Sequence, residues 1–388
     1  MINNEKCKNA AIGKAVTGMN ADGKVLVILV ILLYPYSAGS LHNKPVVKEQ
    51  DFEYTSAPGA LDLIEMLSQY DDYNWTTARQ HMKTIKLYHG QVWKSPTPEI
   101  LKLFQGNTLE KLSKSNSLLY IRRNFEMKLA LEIGAMKPEN CLFNPYDIEG
   151  AIEPLVDSIA EIYKAGGAVS RLDIDNSIGH CRATVDDSSF ATSRFIMLAE
   201  DAINHRLNEM KQLDPDLPIV PIRWAEIEAY PYWSMRQHLR YIYRLNLIMT
   251  SRDYVPIEIY FLDVDHNTVN DGALARDFEN LLSYCHSLGI KVGVIINGDD
   301  ENPKNPWNNK DLDYLRSAND KKLVRFKRLG ILNKADVVMV QSWTAEANGN
   351  RTVPPNVPET GITGTNFFIH TLKCAADISD CEIYPELD

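Results

Sequence analysis

The stretch IEIYFLDVDHNTVNDGALARDFENLLSYCHSLGIKVGVII, residues 257–296, contains one complete strand–helix–strand unit. Short apolar runs at its two ends predict strands from Ile257 to Val264 and from Lys291 to Ile296. Between them apolar residues recur at helical spacing around Phe278 to Leu282, and Gly289 follows as a typical C-terminal stop. This order of elements predicts a parallel βαβ unit.

The same alternation continues along the chain from Asp51, and no low-complexity segment marks a linker. The apolar runs predict eight strands: Phe52–Ser56, Thr84–His89, Glu126–Ile133, Ala168–Ile174, Ile219–Ile227, Ile257–Val264, Lys291–Ile296 and Val337–Gln341. Helical patterns lie between them at Ala60–Gln69, Ile152–Lys164, Ser188–Leu213, Met235–Met249, Gly272–Leu288 and Asn309–Leu329. An open doubly wound sheet would usually carry a Gly-rich first turn, which this sequence lacks. We therefore predict an α/β fold of the (β/α)₈ TIM-barrel class, one catalytic-type domain over residues 41–388, with its site at the carboxyl ends of the strands.

The first forty residues have a different pattern. Lys24 precedes the unbroken apolar run from Val25 to Tyr34, and small residues from Ser37 to Ser40 follow. This pattern predicts a signal peptide over residues 1–40, with Met19 as an alternative start and cleavage just after Ser40. A run of about ten residues is too short to span a bilayer, so we expect a secreted or periplasmic protein without a membrane span after cleavage. A buried N-terminal strand is the alternative interpretation.

Composition and cysteine spacing exclude several kinds of partner. The chain has 388 residues, 45% of them hydrophobic, and a net charge of −10, which argues against nucleic acid and anionic membranes as partners. No Cys-x-x-Cys pair indicates a structural zinc site. In an oxidising compartment we expect a Cys141–Cys181 disulfide, because these residues follow the third and fourth strands. Cys374–Cys381 is a second expected pair, and Cys285 is predicted to be a buried free thiol.

Three consecutive predicted strands end in an acid, an apolar residue and a second acid. The stretches are Leu172-Asp173-Ile174-Asp175, Ala225-Glu226-Ile227-Glu228 and Leu262-Asp263-Val264-Asp265. Because side chains alternate between the faces of a strand, the apolar members are expected to pack outward and the acids to point into the barrel. Crowded carboxylates are costly to bury, so a functional role is the favoured interpretation. Salt-bridged scaffolding or exposed loop acids remain the structural alternative.

Paired carboxylates on facing strands are what glycosidic cleavage requires, with one acid protonated and the other ionised. The predicted function is hydrolysis of glycosidic bonds in a carbohydrate substrate, without a cofactor or metal. The candidate catalytic residues are Asp173, Asp175, Glu228, Asp263 and Asp265. Within this set we expect Glu228 to be the proton donor and Asp263 the ionised partner. Candidate sugar-binding residues are Trp224, Tyr230, Tyr232, Trp233, Asn297, Gln341 and Trp343, which supply stacking surfaces and amide groups near the strand ends.

Several stretches resemble a branch of bacterial glycoside-hydrolase-like (β/α)₈-barrel proteins. They are WAEIEAYPYW at 224–233, FLDVDH at 261–266, KVGVIING at 291–298 and VQSW at 340–343, followed by Pro355 to Glu359. The resemblance covers the chain from about Asp51 onward and implies a barrel in a carbohydrate context. More distantly, acids on the fourth and sixth strands resemble the α-galactosidase and α-glucosidase arrangement. That likeness implies Asp173 or Asp175 as nucleophile and Asp263 or Asp265 as acid, so the division of roles stays open.

Two other classes of function fit part of the pattern. Enolase-type barrels hold Mg²⁺ with acids from three consecutive strands, and the stretches 173–176 and 228–231 loosely resemble that arrangement. The wide spacing of the acid-bearing strands weakens this alternative, and Lys83 and Lys86 lack the expected lysine pairing. A sugar-binding barrel without turnover is the non-enzymatic alternative.

Overall fold

The computed structural model describes residues 14–19, 25–30, 50–55, 66–68, 73–92, 108–124, 126–133, 145–180, 184–265, 269–298, 310–341, 359–360, 363–377 and 381. The chain divides into two compact units, Met1–Lys48 and Glu49–Asp388. In the first unit, strand β1 (Lys14–Met19) pairs with strand β2 (Val25–Val30) in an antiparallel hairpin. The predicted signal peptide covers this hairpin, and its removal on export stays a prediction.

The second unit is a closed barrel of eight parallel strands, in the order β10-β3-β4-β5-β6-β7-β8-β9. The bounds are β3 Asp51–Thr55, β4 Thr84–Tyr88, β5 Lys128–Ile133, β6 Val169–Asp175, β7 Arg223–Tyr230, β8 Ile259–Val264, β9 Lys291–Ile296 and β10 Val337–Gln341. The last strand pairs with both β9 and β3, which closes the sheet. The predicted (β/α)₈ TIM barrel is therefore confirmed.

All eight predicted strands are present, and the largest shift in bounds is at β7. This strand begins at Arg223 rather than Ile219 and continues to Tyr230 rather than ending at Ile227. Pro221 explains the late start, because proline has no backbone N–H to donate to a strand ladder. The predicted bounds of β9 and β10 match the structure at both ends.

Helices surround the barrel in the order expected for βα units. Their bounds are α1 Thr76–His81, α2 Thr108–Lys114, α3 Ser117–Asn124, α4 Pro145–Lys164, α5 Ser177–His180, α6 Val185–Leu213, α7 Met235–Thr250, α8 Asp271–Ser287, α9 Lys310–Ser317, α10 Val324–Arg328, α11 Ile331–Lys334 and α12 Gly364–Ala376. A π-helix, Ala318–Leu323, joins α9 to α10, so the predicted helix Asn309–Leu329 is interrupted at its centre. Most of the predicted helix Ala60–Gln69 lies outside the described residues. No helix in the described part of the chain combines the length and apolarity needed to cross a membrane.

The barrel interior is divided into an apolar and a polar half. Strands β7 to β10 supply the apolar cluster Ala225, Ile227, Ile259, Phe261, Ile295, Val337 and Met339. A Cβ at Gly293 would collide with the ring of Phe261, so glycine at this position makes room for that ring. The interior positions of β3 to β6 carry polar side chains, which build the site described below.

The described cysteines behave as predicted. Cys374 and Cys381 form a disulfide with their Cα atoms 4.5 Å apart, and Cys285 is a buried free thiol. Cys141 and Cys181 lie outside the described residues, so their pairing stays a prediction.

Candidate active site at the carboxyl end of the barrel

A charged layer in the middle of the barrel forms the floor of the site. The Arg171 guanidinium donates to both carboxylate oxygens of Glu53, at 2.6 and 2.7 Å, and to both oxygens of Asp173, at 2.5 and 2.9 Å. All three side chains are buried. Asp173 faces the interior as predicted, and among the described residues its side-chain hydrogen bonds go to Arg171, so its position is that of a structural counter-charge.

One layer closer to the carboxyl ends of the strands, Lys86, Glu132 and Asp175 lie together. The Lys86 ammonium is fully buried and forms an ion pair with Glu132. Burial raises the pKa of Glu132 to about 7, although the nearby Lys86 charge opposes this shift. Burial likewise raises the pKa of Asp175 to about 6; Lys86 opposes the shift and the charge of Asp263 adds to it. Both carboxyl groups can therefore hold a proton close to neutral pH.

On the other side of the opening, Asp263 is paired with a lysine from the π-helix. The Lys322 Nζ lies 3.0 Å from Asp263 Oδ1 and also contacts Asn297 Oδ1. The side chain of Lys322 is 2% exposed, whereas that of Asp263 is 31% exposed. Asp263 therefore combines a fixed counter-charge with access to solvent.

The rim beside these groups carries hydrogen-bonding side chains. Gln341 Nε2 donates to the Tyr88 hydroxyl at 2.9 Å, and the Tyr314 hydroxyl donates to the backbone oxygen of Gln341 at 2.8 Å. Gln341 Oε1 is buried and has no hydrogen-bond partner within the described part of the chain. We call the set Lys86, Glu132, Asp175, Asp263, Asn297, Lys322 and Gln341 the carboxyl-end site.

The predicted inward orientation is confirmed for Asp173, Asp175 and Asp263 but is wrong for Glu226 and Glu228. In the parallel register, Asp173 pairs with Ala225 and Asp175 with Ile227, so the apolar residues of β7 face the interior. Glu226 and Glu228 are fully buried on the outer face of β7, where the Glu228 carboxyl accepts from the backbone of Ile178. The prediction assumed that the apolar residues of β7 pack against the helices. In this half of the barrel the interior is also apolar, so these residues face inward instead. Glu228 thus lies outside the carboxyl-end site, contrary to its predicted role as the proton donor.

Two predicted sugar-stacking residues on β7 also point away from the interior. The indole of Trp224 donates to Glu200 on α6 at 3.2 Å, and the Tyr230 hydroxyl donates to Asp277 on α8 at 2.6 Å. Both rings are buried against the helix layer. Tyr232, on the loop after β7, is 76% exposed, and Trp233 is packed against the outer core.

Four candidate residues remain: Asn297, Gln341, Asp265 and Trp343. Asn297 and Gln341 lie in it as expected. Asp265 follows β8, is half-buried, and donates its backbone N–H to Tyr230. Trp343 lies outside the described residues.

Sequence reasoning missed Lys86, Glu132 and Lys322. The first two had a local signal, because each is a charged residue at an alternate position of an otherwise apolar strand. No sequence signal pointed to Lys322, because the pattern of its neighbours predicts an ordinary helix. Among the described residues, no group of three or more Asp, Glu, His or Cys side chains is placed to hold a metal ion.

Comparisons with known proteins give only distant likenesses to solved structures. No family model matches the sequence, and no curated protein matches it. A glucosidase from Croceicoccus marinus is similar at 11% identity and a TM-score of 0.46, over 86% of this chain and 69% of the other. An endo-1,4-β-xylanase from Caldicellulosiruptor owensensis is similar at 10% identity and 0.43, over 76% and 85%.

The carboxyl transferase domain of Rhizobium etli pyruvate carboxylase is similar at 9% identity and a TM-score of 0.41, over 76% of this chain. This chain spans 40% of the length of that one. At such identities the likenesses concern the barrel fold alone, and none assigns a reaction or substrate.

Proposed function

We propose that this protein hydrolyses glycosidic bonds at the carboxyl-end site, with Asp175 as the proton donor and Asp263 as the ionised carboxylate. The observation that carries this proposal is the contrast between their surroundings. Asp175 is half-buried, and desolvation with the nearby charge of Asp263 raises its pKa to about 6, whereas Asp263 has the Lys322 ammonium at 3.0 Å. Two carboxyl groups with different surroundings at one barrel opening, here on the strands that flank β7, are what acid-assisted glycoside cleavage needs.

Each residue of the site then has a defined task. The Asp175 proton goes to the leaving glycosidic oxygen, while Asp263 either attacks the anomeric carbon or takes a proton from the attacking water. Lys86 and Glu132 balance the charge around Asp175. Lys322 and Asn297 orient Asp263. Gln341 Oε1, which has no partner among the described residues, suits a sugar hydroxyl, and the exposed Tyr232 ring suits stacking of a further sugar.

The test is hydrolysis of a panel of glycans by the purified protein and by Asp175→Asn and Asp263→Asn. Each substitution keeps the shape of the side chain, and kcat is expected to fall by about 10² to 10⁴, the usual value of a positioned acid or base. Glycan binding should be retained, and Glu110→Gln, at an exposed acid on α2, serves as the charge-matched control.

Other outcomes favour the alternative classes. Glycan binding without turnover by the wild-type protein would identify a sugar-binding barrel. Turnover abolished by EDTA and restored by Mg²⁺ would favour the metal-dependent barrel instead. Unchanged turnover in both Asn variants would reject the assigned acids.

A further inference from the structure

The acidic pair on the outer face of β7 is buried, and the described residues supply it with no basic partner. Glu226 and Glu228 are both 0% exposed, and in the described part of the chain neither forms an ion pair with Lys or Arg. The polar groups packed around the pair are Ser177 from α5, Tyr260 from β8 and Tyr241 from α7, and the charge of Asp175 on β6 acts on Glu228. His238 on α7 contacts the hydroxyl of Tyr260. His238 supplies no positive charge near neutral pH, because burial lowers its pKa to about 4. Burying two carboxyl groups in this way costs free energy of folding, which favours a structural or functional role for the pair.

The contact that Glu228 makes is with the turn after β6. Its Oε1 accepts the backbone N–H of Ile178 at 2.6 Å. Ile178 belongs to the first turn of α5, where backbone N–H groups have no acceptor within the helix. Glu228 therefore caps this short helix from a neighbouring strand.

The capped turn begins directly after Asp175. Asn176 takes a left-handed conformation, with φ of 53°, and its N–H donates to Ile227 O at 2.6 Å. Within three residues of Asp175 the chain is thus bound to β7 twice, once through the backbone and once through Glu228. Because a left-handed non-glycine residue persists only where its surroundings enforce it, the second contact helps to keep the turn in place.

We propose that Glu228 is a positioning residue for Asp175, because its carboxyl oxygen holds the amide of Ile178 and so fixes the turn by which Asp175 leaves β6. This role rests on the proposed function for the catalytic meaning of Asp175, but the anchoring itself is independent of substrate. Burial and the neighbouring Glu226 raise the pKa of Glu228, which keeps its carboxyl in the neutral form that suits an apolar layer.

The test compares Glu228→Gln with Glu228→Leu in the full chain. Glutamine keeps the oxygen that accepts from Ile178, whereas leucine removes it at similar volume. Glu226→Leu is the comparison variant, since it removes an equally buried carboxyl that interacts with Ser177 in the same turn but leaves the acceptor of the Ile178 amide in place. The double variant Glu226→Leu/Glu228→Leu supplies a folded sample if the single leucine variant unfolds, because replacing both acids leaves no unpaired carboxyl buried at this position.

Two measurements need no substrate: hydrogen exchange at the Ile178 amide, and the pKa of Asp175 from NMR titration. We expect Glu228→Gln to agree with wild type in both measurements, and Glu226→Leu to keep the Ile178 amide protected, because Glu228 still accepts from it. Glu228→Leu and the double variant are expected to exchange Ile178 at least about tenfold faster and to shift the Asp175 pKa, because the amide has lost its acceptor.

Turnover then links the anchor to catalysis. With a hydrolysed glycan, kcat should fall about tenfold or more in Glu228→Leu with KM nearly unchanged, and Glu228→Gln should restore it. A loss of about 10² in Glu228→Gln would instead mark Glu228 as a direct proton donor and overturn the proposal. Protected Ile178 exchange in the folded leucine variants would also overturn it, as would equal effects of Glu226→Leu and Glu228→Leu. If the wild-type protein hydrolyses no glycan, the proposed function is rejected. Hydrogen exchange at Ile178 and the NMR titration of Asp175 still test whether Glu228 anchors the turn.

Discussion

At the scale of single residues, position in the barrel decides what each carboxylate can do. Asp173 and Asp175 lie on one strand and face the same interior, yet Arg171 binds both oxygens of Asp173 while Asp175 lies near the lysine-paired Glu132. Asp173 is therefore held in a fixed ion pair with Arg171, whereas Asp175 can take up and release a proton.

Asp173→Ala should therefore act on stability. The substitution leaves the buried Arg171 paired with Glu53 but removes its two hydrogen bonds to Asp173, and a hydrogen bond to a charged group contributes about 1.5 to 3 kcal/mol. Urea unfolding measures the change, with Asp175→Asn as the comparison. Equal free energies of unfolding for Asp173→Ala and wild type would show that the Arg171 layer does not hold the barrel together.

The pH dependence of turnover follows from the proton on Asp175. Its pKa is raised to about 6, and a general acid works only while protonated, so kcat should decline as pH rises above about 6. The profile between pH 4.5 and 8 measures this on any hydrolysed glycan. A rate that keeps rising to pH 8 would contradict Asp175 as the donor.

At the scale of elements, the π-helix Ala318–Leu323 determines where Lys322 points. A π-turn inserts one residue into a helix and shifts every side chain after it, and such turns are frequent at functional sites. Here the segment lies between α9 and α10 and directs Lys322 to Asp263 and Asn297, while His370 on α12 contacts Asn319 at 2.9 Å. The irregular segment thus supplies the counter-charge of the carboxyl-end site.

Lys322→Met keeps most of the volume of the buried stem and removes the charge. We expect kcat to fall by about tenfold or more, because Asp263 loses the group that orients it, with a smaller effect on the melting temperature. Lys321→Met, one residue earlier in the π-helix, is the control. Similar loss of turnover in both variants would point to the helix as a whole rather than to the Lys322 ammonium.

At the scale of the whole molecule, several buried carboxyl groups make stability depend on pH. Burial raises the pKa of Glu226 to about 8, of Glu132 to about 7 and of Asp175 to about 6, and also raises that of Glu228. Because these folded pKa values exceed those of the unfolded chain, folding takes up protons. The stability that these groups contribute is complete below the unfolded pKa, near pH 4, and is lost as pH rises through 6 to 8.

The free energy of unfolding should accordingly fall between pH 5 and pH 8. The slope is about 1.4 kcal/mol per pH unit for each group that holds a proton in the folded chain but has lost it in the unfolded chain. Urea titrations at several pH values measure the slope. Glu226→Gln/Glu228→Gln, which removes two of these groups at nearly constant shape, should flatten it. The same slope in this double variant would show that the outer acidic pair does not titrate on folding.

Export is a separate property of the whole chain, and we propose that residues 1–40 direct it. N-terminal sequencing of secreted protein should begin at Leu41, because Ala38 and Ser40 are small residues at the positions that signal peptidase requires. Recovery of mature protein from the cytosol with Met1 intact would contradict this proposal.

The sequence by itself determined the elements, because hydrophobic periodicity and Gly or Pro stops are local properties. It located all eight barrel strands and the interior acids of β6 and β8. The tertiary structure alone decided which face of β7 is interior, since strand alternation fixes the period and not the phase. Both the barrel interior and the helix layer accept Ala225 and Ile227, so only the register with β6 places Glu226 and Glu228 outside. The lysines that pair with the site's acids come from distant segments, and side chains far apart in sequence become neighbours only when the barrel closes.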